Sequence, residues 1–161
     1  MYVLPFPVGE SHRVSQGNCF ESGSHQGTLR HSHDLEMPFG STVTAARAGV
    51  VSVMRVTQPA GSRGLTTSNW IQVDHGDGTV ASYVHLVEDG ALVAIGERVE
   101  PGIPIAITGA TGDVGSFPHV HFDVHPCGNN LACTTLQTTF RNTEPNPDGL
   151  IQNRLYTSLP F

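Results

Sequence analysis

The chain has 161 residues, a net charge of −6, 38% hydrophobic and only 14% charged residues. That length suits one domain with its own core, and the acidic balance excludes an electrostatic grip on nucleic acid or an anionic membrane. No apolar run approaches the roughly 18 residues of a bilayer span, and 18 glycines with 11 prolines favour short strands and turns over long helices.

The opening Met1-Tyr2-Val3-Leu4-Pro5-Phe6-Pro7 lacks the basic region and long apolar core of a signal peptide. Next comes a first group of metal-ligand types, Ser24-His25 through Asp34, followed by Leu35-Glu36-Met37-Pro38. Thr42 to Val56 reads as two short strands around Arg47-Ala48-Gly49. Trp70–Asp74 and Thr79–Leu86 read as a hairpin, because His75-Gly76-Asp77-Gly78 between them tolerates positive φ. In Tyr83-Val84-His85-Leu86, strand alternation puts Tyr83 and His85 on one face. Helical periodicity is weak, with at most a turn or two around Leu86 to Gly90. Gly96 to Ala106 reads as a turn and another strand.

The segment His119-Val120-His121-Phe122-Asp123-Val124-His125 is a strand whose alternation sends His119, His121, Asp123 and His125 one way and Val120, Phe122 and Val124 into the core. Same-face neighbours sit about 6.6 Å apart at Cα, so one histidine can bind a metal while the next reaches water beside it. Cys127 and Cys133 bracket a turn-rich loop that a disulfide can close, leaving Cys19 as an odd, buried thiol in an oxidising, extracytoplasmic setting. The tail, Arg141 to Phe161, reads as irregular.

A borderline cation such as zinc takes imidazole nitrogen and carboxylate oxygen, with one position left open in catalytic sites. His25, Asp34 and one histidine of the second cluster would supply three protein ligands. His85 and whichever of His119 and His121 does not bind metal would remain for acid–base work. The residues alone therefore point to a zinc hydrolase. Neither His-Glu-x-x-His nor Gly-x-Ser-x-Gly occurs, so the glutamate base of thermolysin-like enzymes and a serine elbow are both disfavoured.

Four segments in order carry a resemblance to the lysostaphin-type, or LytM-like, zinc metallopeptidases of bacterial cell walls. They are Ser24-His25-Gln26-Gly27 through Asp34–Val43, Tyr83-Val84-His85-Leu86, Gly96–Gly102, and Thr111-Gly112 through Pro118-His119-Val120-His121-Phe122-Asp123. The resemblance implies an all-β fold: a single antiparallel β-sheet or sandwich domain of the duplicated hybrid motif type, with few or no helices. It would span residues 1–161, with a core of about 24–125 and an irregular extension over 126–161. It makes His25, Asp34 and His121 the ligands of one zinc ion per chain. His119 would be the general base toward metal-activated water and His85 the donor to the oxyanion, roles that can be exchanged.

The implied substrate is a peptide bond in peptidoglycan stems or cross-bridges, or in glycine-rich peptides, cut by a monomeric extracytoplasmic enzyme. The rival is a non-catalytic LytM-like regulator of another wall hydrolase. A biotinyl or lipoyl carrier, suggested by Gly96–Gly109, fails because the chain has no lysine. Two departures stand out. His25 and Asp34 lie nine residues apart rather than four, with His31 and His33 as rival ligands; alternation turns His33 away from Asp34. Phe117-Pro118 replaces the usual Gly-Pro, a change that would narrow the cleft. Ser116 and Asn69 are candidate substrate-orienting groups, and loops 57–69 and 127–135 the expected cleft walls.

Overall fold

Alternation along His119–His125 organises the structure, a computed structural model that describes residues 1–19, 23–127 and 133–161. Its strands are β1 (Ser11–Gln16), β2 (His33–Glu36), β3 (Thr42–Thr44), β4 (Gly49–Arg55), β5 (Trp70–Asp74), β6 (Val80–Val84), β7 (Leu86–Ala91), β8 (Arg98–Val99), β9 (Pro104–Thr108), β10 (His119–His125) and β11 (Leu155–Thr157). The described residues contain no α-helix, only 3-10 turns at Gly27–Leu29 and Leu65–Thr67.

The strands form two antiparallel sheets, one of eight strands in the order β11-β1-β2-β10-β6-β5-β4-β8 and one of three in the order β3-β9-β7. The all-β antiparallel expectation is met. Strand β10 lies between β2 and β6, with Val120, Phe122 and Val124 in the core as alternation requires. They join Leu35, Ile71 and Tyr83 of the large sheet and Val43, Leu86 and Ile105 of the small one in a single buried cluster. Each such side chain contributes about 1.5–3 kcal/mol of transfer free energy when fully buried. The opposite face of the large sheet carries His119, His121 and Asp123 of β10, with the half-buried Val84 and Trp70 beside them.

The hairpin between β5 and β6 is built as its sequence indicates. Gly76 and Gly78 adopt φ of +73° and +87°, and Asp77 Oδ1 accepts the Thr79 N–H at 3.0 Å. Three local expectations change. Leu86 to Gly90 is not a helical turn but part of β7, because Leu86 and Ala91 pair with Thr108 and Ala106 of β9. The tail is not wholly irregular: β11 pairs with β1, Tyr156 opposite His12. Cys19 is not buried; it sits exposed at a turn with φ +51°, its Sγ 3.6 Å from His31 Nδ1. Cys127 and Cys133 are joined by a disulfide, and residues 128–132 of the loop they close lie outside the described residues.

Candidate metal centre

The site starts from a cross-strand pair. His121 on β10 lies directly opposite Asp34 on β2, and directly opposed residues of an antiparallel pair point to the same face with Cβ atoms about 4.5–5.5 Å apart. His121 Nδ1 therefore meets Asp34 Oδ1 at 2.9 Å. His25 comes from the loop before the first 3-10 turn and brings its Nε2 to 3.1 Å from Asp34 Oδ1 and 3.3 Å from His121 Nδ1. Among the described residues, these three are the group of ligand-type side chains close enough together to hold one metal ion.

The triangle of donor atoms fits a zinc ion. Zinc–nitrogen and zinc–oxygen bonds of about 2.0–2.1 Å in tetrahedral geometry put ligand atoms about 3.3 Å apart, against edges here of 2.9, 3.1 and 3.3 Å. The tautomers agree. A carbonyl oxygen only accepts, so the contact of His25 Nδ1 with Gly17 O at 3.3 Å places a hydrogen on Nδ1 and leaves a lone pair on Nε2. His121 Nε2 donates to Asp123 Oδ2 at 3.2 Å, which leaves a lone pair on Nδ1 toward Asp34 and His25, where a metal would need it. Asp34 Oδ2 is taken by the Gln16 amide at 2.8 Å, and Oδ1 remains for the centre.

Electrostatics point the same way. Where no metal sits among the three side chains, His25 Nε2 and His121 Nδ1 can instead carry hydrogens to Asp34. Burial alone would raise its carboxyl, but these hydrogen bonds from His121 and His25 and the charge of nearby histidines hold it well below the usual carboxylate range. Burial alone would lower His121, yet its bonds to Asp123 and Asp34 push it up to about 10. The cluster thus demands a positive charge at the Asp34–His121 junction, which a proton or a metal ion can supply.

Two further histidines complete the cavity, about 220 Å³ in volume. His119, two residues before His121 on the same face, places Nε2 3.6 Å from Asp34 Oδ1 and donates from Nδ1 to Phe117 O at 3.0 Å. His85 arrives differently from the expected alternation. Tyr83 pairs with Phe122 and lies in the core, where its hydroxyl accepts the Ala46 N–H. His85 escapes that face because its own φ is +69°, a left-handed bend between β6 and β7 that is uncommon outside glycine and turns its ring into the site. Its Nδ1 donates to Thr111 O at 2.8 Å, its ring centroid lies 4.7 Å from that of His119, and burial together with the charges of His119 and His121 pushes its pKa down to about 4.

The other sequence candidates fall elsewhere. His33 faces away from Asp34, fully buried against Phe140. His31 contacts Cys19 and hydrogen-bonds Thr135 through its backbone. Asn69 is consumed by the scaffold, its amide bonding Gln58 and Leu86. Ser116 is exposed, and Phe117, 63% exposed, is not among the residues that line the cavity. Sequence reasoning missed Gln16. A bulge between Val14 and Gln16 breaks the β1–β2 register, so Val14 stays in the core while Gln16 turns to the site and pairs with Asp34.

The model of peptidase family M23 matches residues 28–133. The chain belongs to peptidase family M23. Asp34, His85, His119 and His121 lie inside the matched segment and His25 three residues before it. This M23 chain is 35% identical over 123 residues to the peptidoglycan DD-endopeptidase ShyB of Vibrio cholerae, covering 74% of this chain and 26% of that protein. A zinc-containing peptidase structure from Vibrio cholerae superimposes with a TM-score of 0.56 at 29% identity, over 77% of this chain and 36% of that one. The M23 metalloprotease pseudoalterin, from the deep sea, shares the fold with a TM-score of 0.64 at 19% identity, over 100% of this chain and 97% of the other. The chain thus spans about a quarter of the length of ShyB and a fifth of that of ShyC, a second Vibrio cholerae DD-endopeptidase 33% identical over 100 residues.

Proposed function

We propose that this M23 chain is a monomeric, extracytoplasmic zinc metalloendopeptidase that hydrolyses peptide bonds in peptidoglycan stems or cross-bridges. The observation that carries the reading is the convergence of Asp34 Oδ1, His25 Nε2 and His121 Nδ1 within 3.3 Å of one another, with two more histidines beside them. His25, Asp34 and His121 would hold one zinc ion, which when bound acts as a Lewis acid and lowers the pKa of water.

The remaining residues move the proton. His119, its Nδ1 hydrogen fixed on Phe117 O, offers an Nε2 lone pair beside Asp34 and serves as general base. His85, its Nδ1 hydrogen fixed on Thr111 O, likewise presents an acceptor at Nε2 while neutral. It becomes the donor to a developing oxyanion once Nε2 holds a proton, and the adjacent His119 ring is the near source. Both imidazoles are thus oriented before substrate arrives, by backbone carbonyls that cannot donate.

A complete donor set with two oriented histidines favours hydrolysis over the non-catalytic regulator, and the DD-endopeptidase names of the relatives favour peptidoglycan as substrate. The test is mass spectrometry of purified peptidoglycan and of glycine-rich peptides after incubation with zinc-loaded protein, with and without chelator. Chelator-sensitive fragments are expected and identify the bond. Intact substrates at stoichiometric zinc would replace this reading with the regulator.

A further inference from the structure

A groove of about 310 Å³ on the large sheet is lined by Arg55, Trp70, Val84, Thr66 and Ser68 among others. Register ties its floor to the metal centre. Asp34 pairs with His121, His121 with Val84, Val84 with Trp70, and Trp70 with Arg55, so these side chains form one row across β2, β10, β6, β5 and β4 on the same face. From His121 to Arg55 the row crosses three strand spacings, about 14 Å. About four extended residues of a peptide cover that distance.

The row changes character along its length. Val84 and Trp70, both half-buried, give an apolar platform next to the site. At its far end Arg55 lies 5.9 Å from the centre of the Trp70 ring and is fixed by Ser68 O, which accepts from Nε at 2.9 Å and from Nη2 at 2.6 Å. A guanidinium has five N–H groups, so this held fork has donors beyond the two that Ser68 engages. None of the residues that line the groove is acidic, although the chain as a whole carries −6. A planar, immobilised cation at the end of an apolar strip, in a protein otherwise short of positive charge, is matched by a carboxylate.

We propose that this groove is a substrate subsite: one arm of the peptide lies over Val84 and Trp70, and a carboxylate on it, about four residues from the scissile bond, pairs with Arg55. The proposal rests on the peptidase reading above and adds to it a preference for acidic or free-acid peptides.

Trp70 is the single tryptophan of the chain, so intrinsic fluorescence reports on the groove directly. The experiment titrates the zinc-loaded full chain with N-acetylated pentaglycine, and with its alanine counterpart ending in two D-residues, each as free acid and as C-terminal amide. The free acid is expected to change Trp70 emission saturably and to bind about tenfold more tightly than the amide, the size of a charge-assisted hydrogen bond. Zinc also attracts carboxylates, so Arg55→Gln decides: it should erase the acid preference and leave zinc content unchanged. Arg55→Lys, which keeps the charge without the fork, should retain part of it and serves where Arg55→Gln lowers the melting temperature.

Equal binding of acid and amide, an acid preference that survives Arg55→Gln, or no change in Trp70 emission would each overturn the subsite. Mass spectrometry of the same samples separates the two readings. Cleavage without an Arg55-dependent preference removes only the subsite, whereas the preference without cleavage of any peptide keeps the carboxylate groove and removes the peptidase.

Discussion

The side-chain amide of Gln16 bridges the carboxylate of Asp34 and the backbone that carries His25. Its Nε2 donates to Asp34 Oδ2 at 2.8 Å, and its Oε1 accepts the Ser24 N–H at 3.0 Å. The next residue, Gly17, accepts from His25 Nδ1. With His25 and Asp34 nine positions apart, no short turn fixes the pair, and the bulged end of β1 does so instead. A Cβ on Gly17 would come within 2.7 Å of Leu150 O, so that close approach also needs glycine.

The first prediction is that Gln16→Ala weakens zinc binding about tenfold or more, as loss of outer hydrogen bonds to metal ligands does, without unfolding the protein. Competition against a colorimetric chelator measures this independently of turnover. Wild-type zinc affinity in Gln16→Ala would show that the clasp is dispensable.

A second prediction separates holding the metal from moving protons. His25→Ala, Asp34→Ala and His121→Ala should each lose stoichiometric zinc, read by elemental analysis after dialysis. His85→Ala and His119→Ala should keep zinc and lose about 10²–10⁴-fold in kcat, the range for acid–base groups. Full turnover in His119→Ala would remove the assignment of the base, and zinc loss in His85→Ala would move that residue into the ligand set.

Parts of this arrangement were legible in the sequence for physical reasons. Strict period-two alternation from His119 to His125 set both the core face and the polar face, and the Asp-Gly turn after Asp74 set the hairpin. Alternation failed where the backbone left the strand pattern. The bulge before Gln16 and the left-handed φ of His85 each rotate one side chain to the opposite face, and neither residue is a glycine that would mark the irregularity. The strand at Leu86–Ala91 was hidden because its pairing with β9 is itself irregular. The tail's strand exists only as a partner of β1, which lies about 140 residues away in the chain.

A third prediction concerns the far side of His121. Asp123 is buried, accepts from His121 Nε2 and lies two residues along the same strand. Asp123→Asn removes the acceptor charge that orients the ring, so zinc affinity should fall about 10–100-fold. Asp123→Glu, which keeps the charge on a longer arm, should recover part of it. Equal losses for both variants would assign Asp123 to packing rather than orientation.

The last prediction uses His33, on the core side of β2. Both of its ring nitrogens are buried without a hydrogen-bond partner among the described residues, and burial, reinforced by His25, pushes its pKa down to about 3. An unfolded histidine titrates near 6.5, so between about 3 and 6.5 the unfolded chain binds a proton that the folded chain excludes. Stability then rises with pH across that window and is lost as pH falls through it, by up to about 1.4 kcal/mol per pH unit from this group. His33→Leu cannot take up that proton. Whatever constant cost its shape imposes, urea unfolding of the two metal-free proteins should show the variant gaining on wild type as pH drops below about 6.5. A stability difference that stays constant from pH 7 to pH 4 would mean that His33 is protonated within the fold.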